Sequence, residues 1–288
     1  MSVSPELGDR QQVDLSLGPI LYRERGRGTP LVFVHGLLVN GDLWRKVVPG
    51  LAGEARCITP DWPLGSHEHA MHPDADVTVE GVARTIAEFL EALDLHDVVL
   101  VANDTGGAIT QRVMTTHPER VAGVVLTPCD CFDNFLPLMF RPLQWLAHVP
   151  PLLTGLLQGL RFRFVRGLPF ALGWLAKTPI PEEIAASYTG PVLRDAAVRR
   201  DTAKLLRSIS PALTLEAAEK LHAFHRPVLI AWAREDRFFP AEHAQALAER
   251  LPDAQLELID DCYTFVSEDN PEALVESILR FLRRKPRD

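Results

Sequence analysis

The stretch Asp97-Val-Val-Leu-Val-Ala-Asn-Asp104-Thr-Gly-Gly-Ala-Ile-Thr-Gln-Arg112 decides the fold. Val98 to Val101 is a run of β-branched and aliphatic residues, as in a strand covered on both faces of a parallel sheet. The run stops at Asn103-Asp104-Thr105, and Gly106-Gly107 then open a helical pattern. Small residues flank the junction, with Ala102 two before Asp104 and Gly106 two after. A sharp strand-to-helix turn tolerates only small neighbours, and it pushes the side chain at its tip out over the carboxyl end of the sheet. That tip residue is Asp104. Free N–H groups and the dipole of the following helix favour its ionised form, and an ionised carboxylate can attack an electrophilic carbon to form an ester. Aspartate at a strand–helix junction also serves as a simple helix cap, so the rest of the chain has to decide between the two roles.

Outward from the elbow, strands and helices alternate. Val13–Leu17 and Ile20–Glu24 read as short strands around a Gly18-Pro19 turn. Leu31–Val34 is a continuous apolar strand running into His35-Gly36, and Leu43–Leu51 has helical spacing. Arg56–Thr59 reads as the next strand, ending at Pro60-Asp61, followed by a Pro-, Gly- and His-rich loop over 62–77. Val79–Leu95 is an amphipathic helix with Val82, Ile86, Phe89, Leu90 and Leu93 on one face. After the elbow a helix runs to about Pro118, and Val121–Leu126 is a buried strand. From about 130 to 222 the sequence is helical and proline-punctuated. Alternation then resumes with strand Pro227–Trp232, helix Glu242–Leu251, strand Gln255–Ile259 and helix Pro271–Arg283. The pattern predicts an α/β fold with a mostly parallel eight-stranded sheet. Its organisation is a first core segment (1–129), a helical cap (130–222) and a second core segment (223–288).

The chain has 288 residues, enough for one large core with an insert, and its 47% apolar and 24% charged content is ordinary for a globular protein. A net charge of −8, with no basic stripe, argues against nucleic acid as a partner. The polar start, Met1 to Gln12, lacks the order of a signal peptide, and no apolar run reaches the length of a membrane span. Cys57, Cys129, Cys131 and Cys262 show no zinc-type pairing, so no metal is expected and reduced thiols in a cytoplasm are. Within the insert no acidic residue occurs between Asp133 and Glu182, whereas Arg141, Arg161, Arg163, Arg166 and Lys177 do. The plainer account is a lid whose apolar faces line a pocket while the cationic heads reach water. The alternative is a face that meets an anionic, greasy substrate or a membrane.

With elbow, core and insert placed, the sequence resembles the α/β-hydrolase fold family, nearest the branch of haloalkane dehalogenases and epoxide hydrolases, whose elbow nucleophile is Asp. His35-Gly36 matches the loop after the third strand, where the resemblance implies that Leu37 supplies one oxyanion-hole N–H. Thr105 would supply the other. Asp61 and Gly65 approximate the loop after the fourth strand. Trp232-Ala-Arg-Glu-Asp236-Arg-Phe-Phe-Pro240 matches the segment carrying the family's second carboxylate, with Ala233 in place of the usual Gly.

The family's histidine falls, by the same matching, within Asp260-Asp-Cys-Tyr-Thr264-Phe-Val-Ser-Glu-Asp-Asn-Pro271, and the residue at its position is Thr264. Threonine cannot activate water at neutral pH, and losing a general base typically costs about 10²–10⁴-fold. Of the ten histidines, His35 belongs to the oxyanion loop, where bracing is its expected role. His67, on the loop after the fourth strand, is the best surrogate base. The branches depart too. Dehalogenases place Trp after the nucleophile and often Asn after His-Gly, where this chain has Thr105 and Leu37. Epoxide hydrolases use two lid tyrosines, and here only Tyr188 lies in the insert.

The expectation is a hydrolase-like enzyme acting on a small apolar substrate, with Asp104 as nucleophile or base and Asp236 as second carboxylate. Leu37 and Thr105 would form the oxyanion hole, with His35, His67, Thr264 and Tyr188 as accessory candidates, and no cofactor. The alternatives are a non-catalytic binder of a hydrophobic ligand, and a lyase or isomerase using Asp104 as acid/base. Expected partners are a small hydrophobic molecule and, as a candidate, a second copy in a homodimer, with no nucleic acid and no stable membrane insertion.

Overall fold

The computed structural model describes residues 2–284; Met1 and 285–288, which fall in the two expected core segments, lie outside the described residues. Eight strands make one sheet: β1 (Asp9–Leu15), β2 (Gly18–Gly26), β3 (Thr29–Val34), β4 (Ala55–Pro60), β5 (Val98–Asp104), β6 (Val121–Cys129), β7 (Val228–Ala233) and β8 (Ala254–Ile259). Their order across the sheet is β1-β2-β4-β3-β5-β6-β7-β8. β1–β2 and β2–β4 pair antiparallel, and every later pairing is parallel. The central strands are buried along nearly their whole length, which is why they read as unbroken aliphatic runs rather than alternations.

The core helices are α1 (Val48–Leu51), α2 (Val79–Ala92) and α3 (Thr105–Thr116). Between β6 and β7 come α4 (Arg141–Leu146), α5 (Pro150–Gln158), α6 (Arg163–Arg166), α7 (Glu182–Arg194), α8 (Ala196–Ser208) and α9 (Pro211–Lys220). The chain then closes with α10 (Ala241–Arg250), α11 (Val266–Asp269) and α12 (Pro271–Leu282). α2 starts where the Thr78 hydroxyl accepts the Gly81 N–H at 3.1 Å, and it buries Val82, Ile86, Phe89 and Leu90 against the sheet. Among the described residues, the stretch between β6 and β7 holds no strand beyond an isolated bridge between Cys131 and Asn134.

Two local readings are corrected. The first hairpin turns at Ser16-Leu17, because Gly18 and Pro19 already pair with Leu15 and Asp14 inside β2. Leu43–Leu51 is not one helix: a 3₁₀ turn over Gly41–Trp44 is followed by the short α1, whose Pro49 favours a new helix start over continuation.

The chain passes from β3 to β4 on one side of the sheet and from β4 back across β3 to β5. The loops after β3 and β5 therefore flank a point where winding direction reverses, the place where open α/β sheets hold ligands.

Candidate active site

Asp104 ends β5 with φ 54° and ψ −133°, a left-handed conformation that a non-glycine residue adopts only when its surroundings enforce it. The small neighbours explain how. A Cβ on Gly106 would meet the Val34 carbonyl oxygen at 2.4 Å, and one on Gly107 would meet Cys129 Sγ at the same 2.4 Å. Gly36 matters for the carboxylate itself, since a Cβ there would lie 2.0 Å from Asp104 Oδ2. The Leu37 N–H donates to that Oδ2 at 3.2 Å, and the Thr105 N–H lies close enough to the carboxylate to lower its pKa. The two amides expected to form an oxyanion hole thus converge on one carboxylate.

Asp104 keeps some accessible surface, and that surface faces a cavity between the sheet and the inserted helices. Burial is the main reason its pKa rises to about 6; the two amides pull the other way, and the charge of Asp236 adds to the rise. Asp236 follows β7, with Oδ1 accepting the Phe238 and Phe239 N–H groups at 2.7 and 2.8 Å. Burial pushes it to about 6 as well, in spite of those amides. Its Oδ2 is buried and has no hydrogen-bond partner among the described residues, and neither has Thr264 Oγ1. The Thr264 hydroxyl is near enough to lower the Asp236 pKa slightly, yet it does not reach Oδ2 with hydrogen-bond geometry. The Thr264 carbonyl is held by Asn103 Nδ2 at 2.8 Å, which ties this loop to the residue before the elbow tip.

The histidines lie elsewhere. His35 is fully buried, with Nδ1 2.9 Å from the Gly36 carbonyl oxygen and Nε2 accepting the Trp62 N–H at 2.9 Å. Burial lowers its pKa to about 4, so it stays neutral and braces the β3 loop. The structure does not bring His67 to Asp104. Its Nε2 faces Asp201 of α8 at 3.4 Å, and its Nδ1 accepts the Gly65 N–H at 3.4 Å. Asp201 is completely buried and also takes the Met71 N–H at 2.8 Å, so the pair fastens α8 to the loop after β4. Tyr188, the tyrosine of the insert, lies apart from the cavity. It is fully buried, does not line the cavity, and lies beside the ion pair of Arg45 and Glu268.

A third carboxylate went unnoticed in the sequence. Asp130, just beyond β6, is fully buried, with its Oδ2 3.1 Å from Thr105 Oγ1 and its Oδ1 without a partner. Burial, reinforced by Asp104 nearby, raises its pKa well above the carboxylate range. Its only signal was position: an acid at the carboxyl end of a parallel strand next to the elbow strand.

The cavity has a volume of about 420 Å³. Its floor is Leu37, Asp104 and Thr105, and its walls are mainly leucine, phenylalanine and methionine from residues 136–175. Thr189 is its other polar side chain, but that hydroxyl donates to the Ala185 carbonyl at 2.9 Å. No histidine, tryptophan or tyrosine lines it among the described residues.

A strand–elbow–helix presenting a carboxylate between two amides, beneath helices inserted after the sixth strand, defines an α/β-hydrolase architecture. Residues 31–277 match the alpha/beta hydrolase family, and the chain belongs to that family of hydrolases. It is 28% identical over 276 residues to haloalkane dehalogenase 2 of Mycobacterium tuberculosis, covering 92% of each chain. In fold it resembles an ancestral haloalkane dehalogenase (TM-score 0.77, 22% identity, 94% of this chain and 98% of the other). It likewise resembles the epoxide hydrolase CorEH (TM-score 0.77, 20% identity, 95% and 98%). Among the described residues no helix is long and apolar enough to cross a membrane.

Proposed function

We propose that the protein takes a small apolar electrophile, of the alkyl halide or epoxide class, into its cavity and forms an ester on Asp104. The observation that carries this reading is the Leu37 amide 3.2 Å from Oδ2, beside Thr105 N–H, at the floor of an apolar chamber. Oδ2 is held, so Oδ1 is the attacking oxygen: it bonds the substrate carbon as the leaving group departs with its electron pair. Water attacking the ester at Cγ would then place negative charge on Oδ2, which already accepts the Leu37 N–H, with the Thr105 N–H beside the same carboxyl group. What the site lacks is an imidazole to activate that water, so the ester should form faster than it is hydrolysed. The relative from M. tuberculosis, named as a haloalkane dehalogenase, supports the substrate class. The four free cysteines agree with a cytoplasmic setting, and nucleic acid is no part of the proposal.

The test is intact-mass measurement after incubation with a panel of alkyl halides and epoxides. A single adduct that maps to Asp104 and is missing in Asp104→Asn supports the reading. Absence of any adduct, with hydrophobic ligands binding equally to both proteins, moves the chain to the second reading, a binder of apolar molecules. That second reading draws on the absence of a histidine from the cavity lining among the described residues and on Thr264 in the histidine position.

A further inference from the structure

Nine of the ten large apolar side chains that stand exposed among the described residues fall between Leu138 and Phe170; the tenth is Leu215. Helix α5 shows how unusual this surface is. Leu153 and Leu157 are buried on its inner face, while Leu152 (57% exposed) and Leu156 (44%) stand on its outer face. The helix carries no charged residue. A helix apolar on both sides is normally enclosed by protein or lipid, and here one side is open. The open surface runs into the cavity, because Met139, Leu156 and Phe170 are exposed and line the cavity at once. The aromatic pair Phe162 and Phe164, 59% and 70% exposed, has ring centroids 6.0 Å apart.

Charge on this face runs against that of the whole chain. The protein carries −8, yet residues 134–181 contain no acid and five cationic side chains. Arg166 is engaged by Glu182, Arg163 lies 3.9 Å from the same carboxylate, and Lys177 pairs with Glu235. Arg161 and Arg141 have no acidic partner among the described residues, and Arg161 is exposed amid the aromatic residues. A second copy fits this face poorly. Two cap faces pressed together would bring like-charged arginines against each other, and among the described residues no other surface offers a comparable set of exposed large apolar groups.

We propose that this face of the cap docks on the surface of an anionic phospholipid bilayer. Trp145, Phe162 and Phe164 would enter the boundary between headgroups and acyl chains, and Arg141 and Arg161 would meet lipid phosphates. The docked cap then opens its cavity toward the lipid phase, from which an apolar molecule can enter without crossing water. The proposal goes beyond the chemistry at Asp104 and does not rest on it.

The experiment is co-sedimentation of the full chain with phosphatidylcholine vesicles, with and without phosphatidylglycerol, alongside tryptophan emission. Trp145, 67% exposed, is the indole positioned to report entry into lipid. Binding to the phosphatidylglycerol vesicles, weakened by salt, with a blue shift abolished in Trp145→Phe, is the expected result. The double variant Phe162→Ser/Phe164→Ser should lose at least about tenfold in affinity and Arg161→Glu about fivefold, both with an unchanged melting temperature. No association, equal association with both vesicle types, or undiminished binding by these variants overturns the proposal. So does light scattering that shows a dimer dissolved by the phenylalanine substitutions.

Discussion

Thr105 Oγ1 lies 3.1 Å from Asp130 Oδ2, fully enclosed, one residue past the elbow. Burial, with the charge of Asp104 beside it, pushes the Asp130 pKa well above its ordinary value. Its Oδ1 has no partner, whereas its Oδ2 accepts the Thr105 hydroxyl. That bond fixes the Thr105 side chain at the start of α3, next to the backbone amide that lies beside the nucleophile. Thr105→Val should slow adduct formation about tenfold, the worth of one such hydrogen bond. Asp130→Asn, whose amide oxygen can still accept the Thr105 hydroxyl, should stay within a few-fold of the parent. Single-turnover mass kinetics reads both, and a faster Thr105→Val variant would reject the arrangement.

A second outcome concerns Thr264. Asp236 Oδ2 is buried without a partner, a free acceptor next to the loop carrying Thr264. A ring placed at position 264 could donate one N–H to that oxygen and turn its other nitrogen toward an ester on Asp104. Thr264→His should convert a lasting adduct into turnover, speeding ester hydrolysis by about 10²-fold or more. The adding of Asp236→Asn should reverse much of the gain. Loss of the adduct signal with matching release of alcohol is the measurement.

Much of this was readable from residue order because the decisive constraints are local. The run Val98–Val101, the small residues around Asp104 and the Gly pair after it each follow from a single turn, so strand, elbow and helix were all expected in place. The roles of His67 and Tyr188 depend on α7 and α8, whose packing no local pattern encodes. His67 is turned away by Asp201, a contact across 134 residues, and Tyr188 is buried beside an ion pair 223 residues apart in sequence. Asp130 was missed for a similar reason, since its meaning comes only from the neighbouring strand.

Gly36 sets the position of the nucleophile. Its missing side chain leaves the space that Asp104 Oδ2 occupies, where a Cβ would come within 2.0 Å. Gly36→Ala must displace either the carboxylate or the loop bearing the Leu37 amide. A shift of about 1 Å at a reacting group can cost about 10²-fold, and that is the expected fall in adduct formation. Far-UV circular dichroism should remain that of the parent, since the strand itself is unaltered. An unchanged alkylation rate would show that the held oxygen is not what orients the attack.

The pH dependence separates the two carboxylates. Attack requires ionised Asp104, so adduct formation should rise with pH through about 6 and level off above it. The charge of Asp236 contributes to that position, and Asp236→Asn should move the midpoint lower while its side-chain oxygen still accepts the Phe238 and Phe239 amides. Stability should respond with the opposite sign. A carboxyl whose folded pKa is raised contributes fully below its unfolded value near 3.9 and loses that contribution as pH climbs through about 6. Removing the charge should therefore stabilise the fold in alkaline solution and do little in acid. Asp104→Asn should melt higher than the parent at pH 8, by up to about 3 kcal/mol in unfolding free energy, and close to it at pH 4. Equal melting temperatures at both pH values would mean that Asp104 is as well solvated in the cavity as in the unfolded chain, and the raised pKa would fall with it.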